Sequence, residues 1–310
     1  MEIDSRYKEQ VTLLLDVLPF VAEERCFALK GGTAINMFEW DLPRLSVDID
    51  LTYLPIEGRD TSLRAISEAL SRIKDRMEDK LKPIRVTLVT QGGGLEVKLH
   101  CQRFRTQIKI EVNAILRGHL MPTRIMACCD RAQEQFARFV ETRVVSRGEL
   151  FGGKICAALD RQHPRDLFDV KLLLDNDDSL TDDLKNGMIA GLISHGRPIA
   201  ELIRPRLKDR AQSFKSEFEG MSFLPFTYDD HVATLERLTN DIAKSLTDDD
   251  KTFLMSVESG APDWSKFSLS GADAMPAPQW KQQNIGILRG NDPDRHRQHV
   301  RALEAVLFAA

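Results

Sequence analysis

The sequence predicts an α+β protein in which an N-terminal unit of strands and helices precedes a helical unit. Over residues 1–145, short alternating or apolar runs typical of strands are interspersed with amphipathic segments. After about residue 145, apolar residues recur mainly at helical spacing. This change of pattern predicts three parts: a first domain over 1–145, a helical domain over 146–250 and a C-terminal extension over 251–310.

The composition is that of an ordinary globular protein. Hydrophobic residues make up 42% of the 310 residues and charged residues 29%, which excludes a disordered or collagen-like chain. The net charge of −4 disfavours a protein that coats nucleic acid non-specifically. The five cysteines form no C-x-x-C pair, so we expect reduced thiols rather than a zinc site or disulfides.

Neither a membrane span nor a secretion signal is expected. No apolar run approaches the ~18 residues of a transmembrane helix, and the charged residues 1–10 lack the apolar centre of a signal peptide. We therefore expect a cytoplasmic protein with no membrane partner.

Periodicity and turn chemistry define the elements of the first domain. Helical spacing of apolar residues predicts helices, alternation predicts strands and glycines mark turns. The expected elements are helix 5–24, strand 26–29, turn 30–33, a short helix 34–40 capped by Thr33, strand 45–53, helix 61–81 and strands 85–90, 95–101 and 107–114. Glycines 92–94 separate the first two strands of that last group.

The remainder of the chain is predicted to be mostly helical. Residues 142–145 suit a strand, and the expected helices are 149–160, 167–174, 183–194, 199–218, 228–245 and 293–308. Turn signals at Pro262, Pro276 and Pro278 predict irregular structure over 256–295.

The strand over 45–53 carries a pair of carboxylates. Asp48 and Asp50 are two residues apart, so they project from one face about 6.6–6.8 Å apart along the strand, while Ile49 and Leu51 project to the other. Neighbouring carboxylates repel unless a cation lies between them, and Mg²⁺ takes oxygen ligands. This face is a candidate metal site; the alternative is an exposed strand face with no ligand.

The turn before this strand can receive an anion. Gly31 and Gly32 lie between a strand and a helix start, where free backbone N–H groups let a phosphate approach closely. The Thr33 hydroxyl adds a donor. A nucleoside triphosphate held there would place its α-phosphate near the aspartates; the alternative is an ordinary glycine turn.

Glu111 is the candidate third carboxylate. Alternation over 108–113 puts Lys109, Glu111 and Asn113 on one face. If this strand neighbours the Asp48–Asp50 strand, three carboxylates converge, as two-metal phosphoryl-transfer sites require.

Three blocks of sequence carry a family resemblance. Lys-Gly-Gly-Thr at 30–33 with Arg-Leu-Ser-Val-Asp-Ile-Asp-Leu at 44–51 resembles the first motif of minimal nucleotidyltransferases of the DNA polymerase β type, and especially the AbiEii/AbiGii toxin family. A second block, with Lys154, Arg161 and Arg-Asp-Leu-Phe-Asp at 165–169, is similar to a block of that family. A third, at 260–281, resembles its C-terminal segment. Where many such enzymes have Gly-Ser, this chain has Gly-Gly-Thr.

The resemblance implies a fold, an activity and partners. It implies a polymerase-β-like nucleotidyltransferase domain followed by a helical domain. It also implies a toxin of a toxin–antitoxin or abortive-infection system that transfers a nucleoside monophosphate from an NTP to RNA with Mg²⁺. The expected acceptor is the 3′ end of tRNA, and the expected partner is an antitoxin encoded alongside.

The residue roles follow in part from the motifs and in part from the resemblance. By resemblance, Lys154 binds the triphosphate or the leaving pyrophosphate, and Asp166 orients Lys154 or accepts a proton. The candidate catalytic residues are Asp48, Asp50, Lys154 and Asp166; the nucleotide ligands are Gly31, Gly32, Thr33 and Lys154; and the metal ligands are Asp48, Asp50 and Glu111.

Residues 148–155 nearly match a phosphate-binding P-loop. Ile155 replaces the hydroxyl residue that would hold Mg²⁺, and the earlier turn already accounts for a triphosphate, so a P-loop is disfavoured.

Two further functions remain open. One is nucleotidyl transfer to a small molecule or a protein side chain, which the acidic balance of the chain favours mildly. The other is a catalytically inactive interaction module, against which the retained Asp48, Asp50, Glu111 and Lys154 argue. Basic residues at 197–215 are either a solvated helix face or a track for RNA phosphates.

Overall fold

A computed structural model describes residues 4–91, 95–177 and 180–308. The chain forms two compact units: Met1–Ser146 with Phe218–Pro225, and Arg147–Glu217 with Phe226–Ala310. The three-part division expected from the sequence, at 1–145, 146–250 and 251–310, stays a prediction. The glycines at 92–94 lie outside the described residues.

The first unit is built on a seven-stranded mixed sheet. Its order is β3-β4-β5-β2-β1-β7-β6. The strands are β1 (Phe27–Lys30), β2 (Asp48–Tyr53), β3 (Arg85–Gln91), β4 (Leu95–Arg103), β5 (Thr106–Val112), β6 (Arg124–Ala127) and β7 (Glu141–Val144). Strands β3, β4 and β5 form an antiparallel meander, and β2 pairs with β5 in parallel. The strand that carries Asp48 and Asp50 therefore lies beside the strand that carries Glu111.

Helices of the first unit pack on this sheet. Most apolar residues of the first helix are fully buried, because its sequence is apolar around much of its circumference. The helices are α1 (Ser5–Ala22), α2 (Gly31–Ala34), α3 (Arg59–Lys80) and α4 (Asp130–Phe136), and a π-helical turn over Ile35–Glu39 follows α2. The predicted N-terminal helix, the β3-β4-β5 strands and the helix α3 are confirmed within a few residues.

The glycine turn differs from its prediction. The helix begins at Gly31 rather than at residue 34, and the residue preceding it, Lys30, makes no side-chain cap. Thr33 is therefore not the cap; its hydroxyl donates to the carbonyl oxygen of Asp48 at 2.5 Å. The strand β2 begins at Asp48 rather than at residue 45, because the backbone N–H of Leu45 donates to Met221 of the segment that returns to this unit.

The second unit is helical throughout its regular structure. Its helices are α5 (Arg147–Arg161), α6 (Pro164–Asn176), α7 (Asp182–Ser194), α8 (Ile199–Ile203), α9 (Ala211–Glu217), α10 (Tyr228–Ser245), α11 (Asp248–Glu258), α12 (Pro276–Asn291) and α13 (Pro293–Leu307), with short 3-10 turns at Trp264–Lys266 and Ala272–Ala274.

Two predictions for this unit are wrong. The single helix expected over 199–218 is two short helices, α8 and α9, because Pro205 lies between them and cannot continue the helical hydrogen bonds. The segment expected to be irregular, 256–295, contains the whole of α12, the last residues of α11 and the first residues of α13. Pro276 stands at the first position of α12, where a proline costs no hydrogen bond, so it starts a helix here.

The third sequence block has a structural role at Lys281. This lysine is buried, and its ammonium donates to the backbone carbonyls of His195 and Arg197 at 2.8 and 2.7 Å. It therefore ties α12 to the loop that ends α7. Burial lowers the pKa of Lys281.

Glycines set the approach of α5 to α7. A Cβ on Gly152 would overlap backbone atoms of Gly187 and Met188, and one on Gly187 would overlap the backbone of Gly148. Gly148 and Gly152 of the near-P-loop are thus part of the surface of α5 that packs on α7, and the disfavoured P-loop is excluded by this helical conformation. This packing fixes the helix that carries Lys154.

We predict that Gly152→Ala destabilises the protein by about 1–3 kcal/mol, the usual cost of overpacking. Gly153→Ala is the matched control: a Cβ there meets nothing within 4 Å, and replacing a helical glycine by alanine should stabilise by roughly 0.5–1 kcal/mol. Urea unfolding of both variants measures the difference. Equal stability of the two would contradict the close packing of α5 on α7.

Candidate functional site

Asp48 and Asp50 share the exposed side of β2. Both are partly exposed, whereas the intervening Ile49 and the following Leu51 are fully buried. The alternation predicted from the sequence is therefore present, with two carboxylates on one face and two core residues on the other. Each aspartate is thus partly accessible to solvent.

The strand that carries Glu111 is the direct neighbour of β2. In the parallel β2–β5 pair, Asp48 is opposite Lys109 and Asp50 is opposite Glu111. The two chain segments are more than 60 residues apart in sequence, yet their pairing places Glu111 beside the aspartates. The sequence predicted this only on the condition that the two strands were neighbours.

Two lysines hold the Glu111 carboxylate. Lys98 lies 2.9 Å from Oε1, and Lys109 lies 3.9 Å from Oε2. Lys109 is also 3.8 Å from Oδ2 of Asp48. Its ammonium therefore occupies the position between Asp48 and Glu111, and it compensates both charges.

No three-ligand metal cage is preformed in the part of the chain that the structure describes. The donor chemistry still fits a hard divalent ion, because Mg²⁺ is commonly held by one or two carboxylates with substrate phosphates completing its shell. Asp48 and Asp50 supply that pair. The role of Glu111 as a metal ligand stays a prediction, since its carboxylate is engaged by Lys98 and Lys109.

The glycine turn is pressed against the carboxylates. Gly31 has φ +72°, a conformation that favours glycine, and a Cβ there would lie 2.5 Å from Oδ2 of Asp50. A Cβ on Gly32 would lie 2.9 Å from the Arg44 guanidinium and from the Ser46 hydroxyl. Both positions therefore exclude a side chain, and the backbone of the turn lies immediately beside Asp50.

The hydroxyl of Thr33 is buried and engaged. It lies 3.1 Å from the Ser46 hydroxyl and donates to the backbone of Asp48. This contact fixes α2 against the start of β2. Direct contact of Thr33 with a nucleotide stays a prediction.

Lys30 is a site residue whose role the sequence analysis missed. It ends β1, in register with Asp50. Burial lowers its pKa, while the negative charges of Asp50 and Glu111 oppose that shift. Its position directly before the glycine turn was the available signal.

A second cluster lies within the helical unit. The Lys154 ammonium is 2.7 Å from Oδ1 of Asp166 and 3.1 Å from Oδ2 of Asp169, and all three residues are buried. Asp166 and Asp169 face the same lysine because they are one helical turn apart on α6. The structure thus brings Lys154 and Asp166 together, as the resemblance of the second block to the family implied.

Arg161 extends this cluster to the surface. Its Nε is 2.5 Å from Oδ2 of Asp166, and its side chain is mostly exposed. Burial raises the pKa of Asp166, but the charges of Lys154 and Arg161 outweigh it and hold that pKa well below its usual value. Asp166 is therefore an ion-pair partner that stays charged at neutral pH.

Several of the basic residues at 197–215 are engaged within the helical unit. Arg197 pairs with Asp160 and Glu201, Lys208 donates to a backbone carbonyl, and Arg210 donates to the carbonyl of Arg161. These contacts favour a structural role for that stretch over a phosphate track. Among the described residues, no helix has both the length and the apolarity of a membrane span.

A mixed sheet that presents paired aspartates beside a glycine turn defines the nucleotidyltransferase class of fold. The chain is similar in structure to MenT4, a nucleotidyltransferase toxin from Mycobacterium tuberculosis, with a TM-score of 0.57 over 97% of this chain and 93% of that one. The two are 14% identical, so the likeness concerns the fold. No curated protein sequence matches the chain significantly.

The sequence itself establishes the family. Residues 12–293 match the family described as nucleotidyl transferase AbiEii toxin, type IV toxin–antitoxin system. The chain belongs to this family, which confirms the resemblance drawn from its motifs. It is a nucleotidyltransferase of a toxin–antitoxin system, and the family implies a nucleoside triphosphate, a divalent metal ion and an antitoxin.

We predict that Lys109→Gln increases the affinity for Mn²⁺ about three- to tenfold, because it removes a competing positive charge from the gap between Asp48 and Glu111. The increase is modest because Lys109 is 45% exposed and its charge is screened by water. Calorimetric titration with Mn²⁺ measures it.

Lys98→Gln is the matched control, since Lys98 pairs with Glu111. A smaller increase in that variant indicates that Asp48 is the ligand that Lys109 blocks, and an equal increase indicates that Glu111 takes part. Unchanged affinity of Lys109→Gln would contradict the competition.

We predict that Lys154→Met destabilises the protein by about 3–5 kcal/mol, the usual cost of leaving buried charges unpaired. Lys154→Met combined with Asp169→Asn should recover part of that loss, because one uncompensated charge is then removed. Urea unfolding measures both. If the double variant were no more stable than the single one, Lys154 would not be neutralising Asp169.

Proposed function

We propose that this protein transfers a nucleoside monophosphate from an NTP to an RNA acceptor, with Mg²⁺ as the divalent ion. The 3′ end of tRNA is the acceptor we consider first. The observation that carries the proposal is the contact of the glycine turn with the paired carboxylates: Gly31 packs on Asp50, and Asp48 lies on the same strand face.

The turn would bind the triphosphate. The backbone N–H groups that begin α2 can donate to phosphate oxygens, and the absence of side chains at Gly31 and Gly32 lets those oxygens approach. Thr33 would support this site by holding the turn on β2. Lys30, next to the turn, adds positive charge beside Asp50.

The carboxylates would organise the reacting phosphate. Asp48 and Asp50 are the residues that would hold a divalent ion, with Glu111 as a third ligand once Lys109 has moved. The ion, when bound, neutralises charge on the α-phosphate and lowers the pKa of an attacking hydroxyl. The hydroxyl oxygen bonds to the α-phosphorus and its proton passes to solvent water, while the bond from that phosphorus to the α–β bridging oxygen breaks and pyrophosphate leaves.

Lys154 and Asp166 are proposed to act on the same reaction. The ammonium of Lys154 would bind the triphosphate or the departing pyrophosphate, as the family block implies. The buried pairs with Asp166 and Asp169 support a role for both aspartates in orienting Lys154. A low pKa makes Asp166 a poor proton acceptor, so we favour orientation over base catalysis for it.

A labelling assay tests the proposal. Purified protein is incubated with Mg²⁺, total RNA and each NTP in turn, radiolabelled at the α-phosphate. We expect label in an RNA band. Asp48→Asn combined with Asp50→Asn should reduce labelling by about a hundredfold or more, because the groups that stabilise the transition-state charge are removed.

The matched control is Asp60→Asn combined with Asp75→Asn, two exposed aspartates of the same unit. This double variant should label as the wild type does. Label in a protein band or in a small product would identify the alternative acceptor class. No labelling, together with an unchanged growth phenotype of the Asp48/Asp50 double variant in cells, would indicate an inactive interaction module.

A further inference from the structure

A cavity of about 550 Å³ opens beside Asp48 in the first unit. Residues of α1 form one wall, and the β4–β5 hairpin forms the other. Its charged residues are three basic side chains, Arg6, Arg105 and Lys109, and two acidic ones, Glu9 and Asp48, and His100 also lines it. Nothing in the family motifs accounts for this cavity.

The walls are cross-linked by hydrogen bonds. Gln10 donates to the carbonyl of Gln107 at 2.9 Å, and Thr106 donates to Glu9 at 3.0 Å, so α1 is joined to the start of β5. The Gln107 side chain is 3.1 Å from Nδ1 of His100. These contacts join the two walls of the cavity.

The strand order places the carboxylates between the glycine turn and the cavity. In the order β5-β2-β1, the turn follows β1 and touches Asp50 from that side. The cavity lies on the β5 side, where Lys109 and Asp48 both line it. An α-phosphate at the carboxylates would therefore have the turn on one flank and the cavity on the other.

Phosphoryl transfer requires the attacking and leaving oxygens to lie roughly in line through the phosphorus. If the turn holds the β- and γ-phosphates, pyrophosphate leaves on the β1 side. The attacking hydroxyl must then approach from the β5 side. We propose that the cavity is the acceptor site of this enzyme, an inference that rests on the proposed function.

The lining indicates a phosphate-bearing acceptor. Arginine side chains bind phosphodiester oxygens in bidentate geometry, and Arg6 and Arg105 are both exposed at this cavity. Arg6 pairs with Asp4 at 3.6 Å, an exposed ion pair that contributes little and exchanges readily. A volume of about 550 Å³ falls within the range of nucleotide-sized ligand sites. The end of a single-stranded RNA fits these features better than a neutral small molecule.

The experiment compares two double variants of the full-length protein. Arg6→Ala with Arg105→Ala removes two positive charges from the cavity. Arg64→Ala with Arg85→Ala removes two exposed positive charges of the same unit that do not line it. For each, we measure the Kd of a short fluorescein-labelled single-stranded RNA as a function of salt, the KM for total RNA in the labelling assay and the Kd of the NTP.

In the cavity variant, Arg6→Ala with Arg105→Ala, we expect the Kd and the KM for RNA to rise about tenfold or more. Each tenfold rise corresponds to about 1.4 kcal/mol. The slope of log Kd against log salt should fall by about 1.4, or roughly 0.7 for each lost contact to a single strand. The Kd of the NTP should not change. The control variant should behave as the wild type in all three measurements.

Each other outcome overturns a distinct claim. RNA parameters of the cavity variant that match those of the control overturn the acceptor site while leaving nucleotidyl transfer intact. A weaker NTP affinity in the cavity variant assigns the cavity to the nucleotide and overturns the inference. A wild-type protein that labels a protein or small product, and binds no RNA, overturns both the RNA acceptor and this site.

Discussion

Mutual repulsion of carboxylates on one face of the sheet is the constraint on which the rest of the site depends. Asp48 and Asp50 are separated by one residue of β2, and Glu111 is in register with Asp50 on β5. At an effective dielectric constant of about 20, two such charges some 6.7 Å apart repel by roughly 2.5 kcal/mol. A fold that places them there must supply compensating charge.

Lysines from three strands supply that charge. Lys30 ends β1, Lys98 lies on β4, and Lys109 is on β5 between Asp48 and Glu111. These ammonium groups compensate the negative charge of the carboxylates.

Close backbone approach is the second theme, and it recurs in both units. Gly31 brings the turn against Asp50, and Gly152 brings α5 against α7. In the first case glycine exposes backbone donors beside the carboxylates; in the second it positions the helix that carries Lys154. Two similar glycine-rich sequences therefore have different structural roles. The roles differ because one sequence forms a turn at the end of a strand and the other lies inside a helix. The cavity beside Asp48 shows that a chain with a net charge of −4 can still place two arginines, Arg6 and Arg105, in one cavity.

The sequence by itself determined the family, the paired aspartates and the helices and strands with strong periodicity, because these depend on residues close together in the chain. It also indicated that Lys154 and Asp166 belong together, since their spacing matches a family block. The sequence predicted irregular structure around Pro276, where the structure has the start of α12. A proline that starts a helix and a proline that ends one cannot be distinguished from the sequence at that position alone.

Only the tertiary structure decided the strand order, which puts Glu111 beside Asp50, and the partners of Lys109, Lys154 and Thr33. These pairings join residues that are distant in sequence. Their contacts are fixed by packing and by charge compensation across the folded chain, which no local pattern encodes.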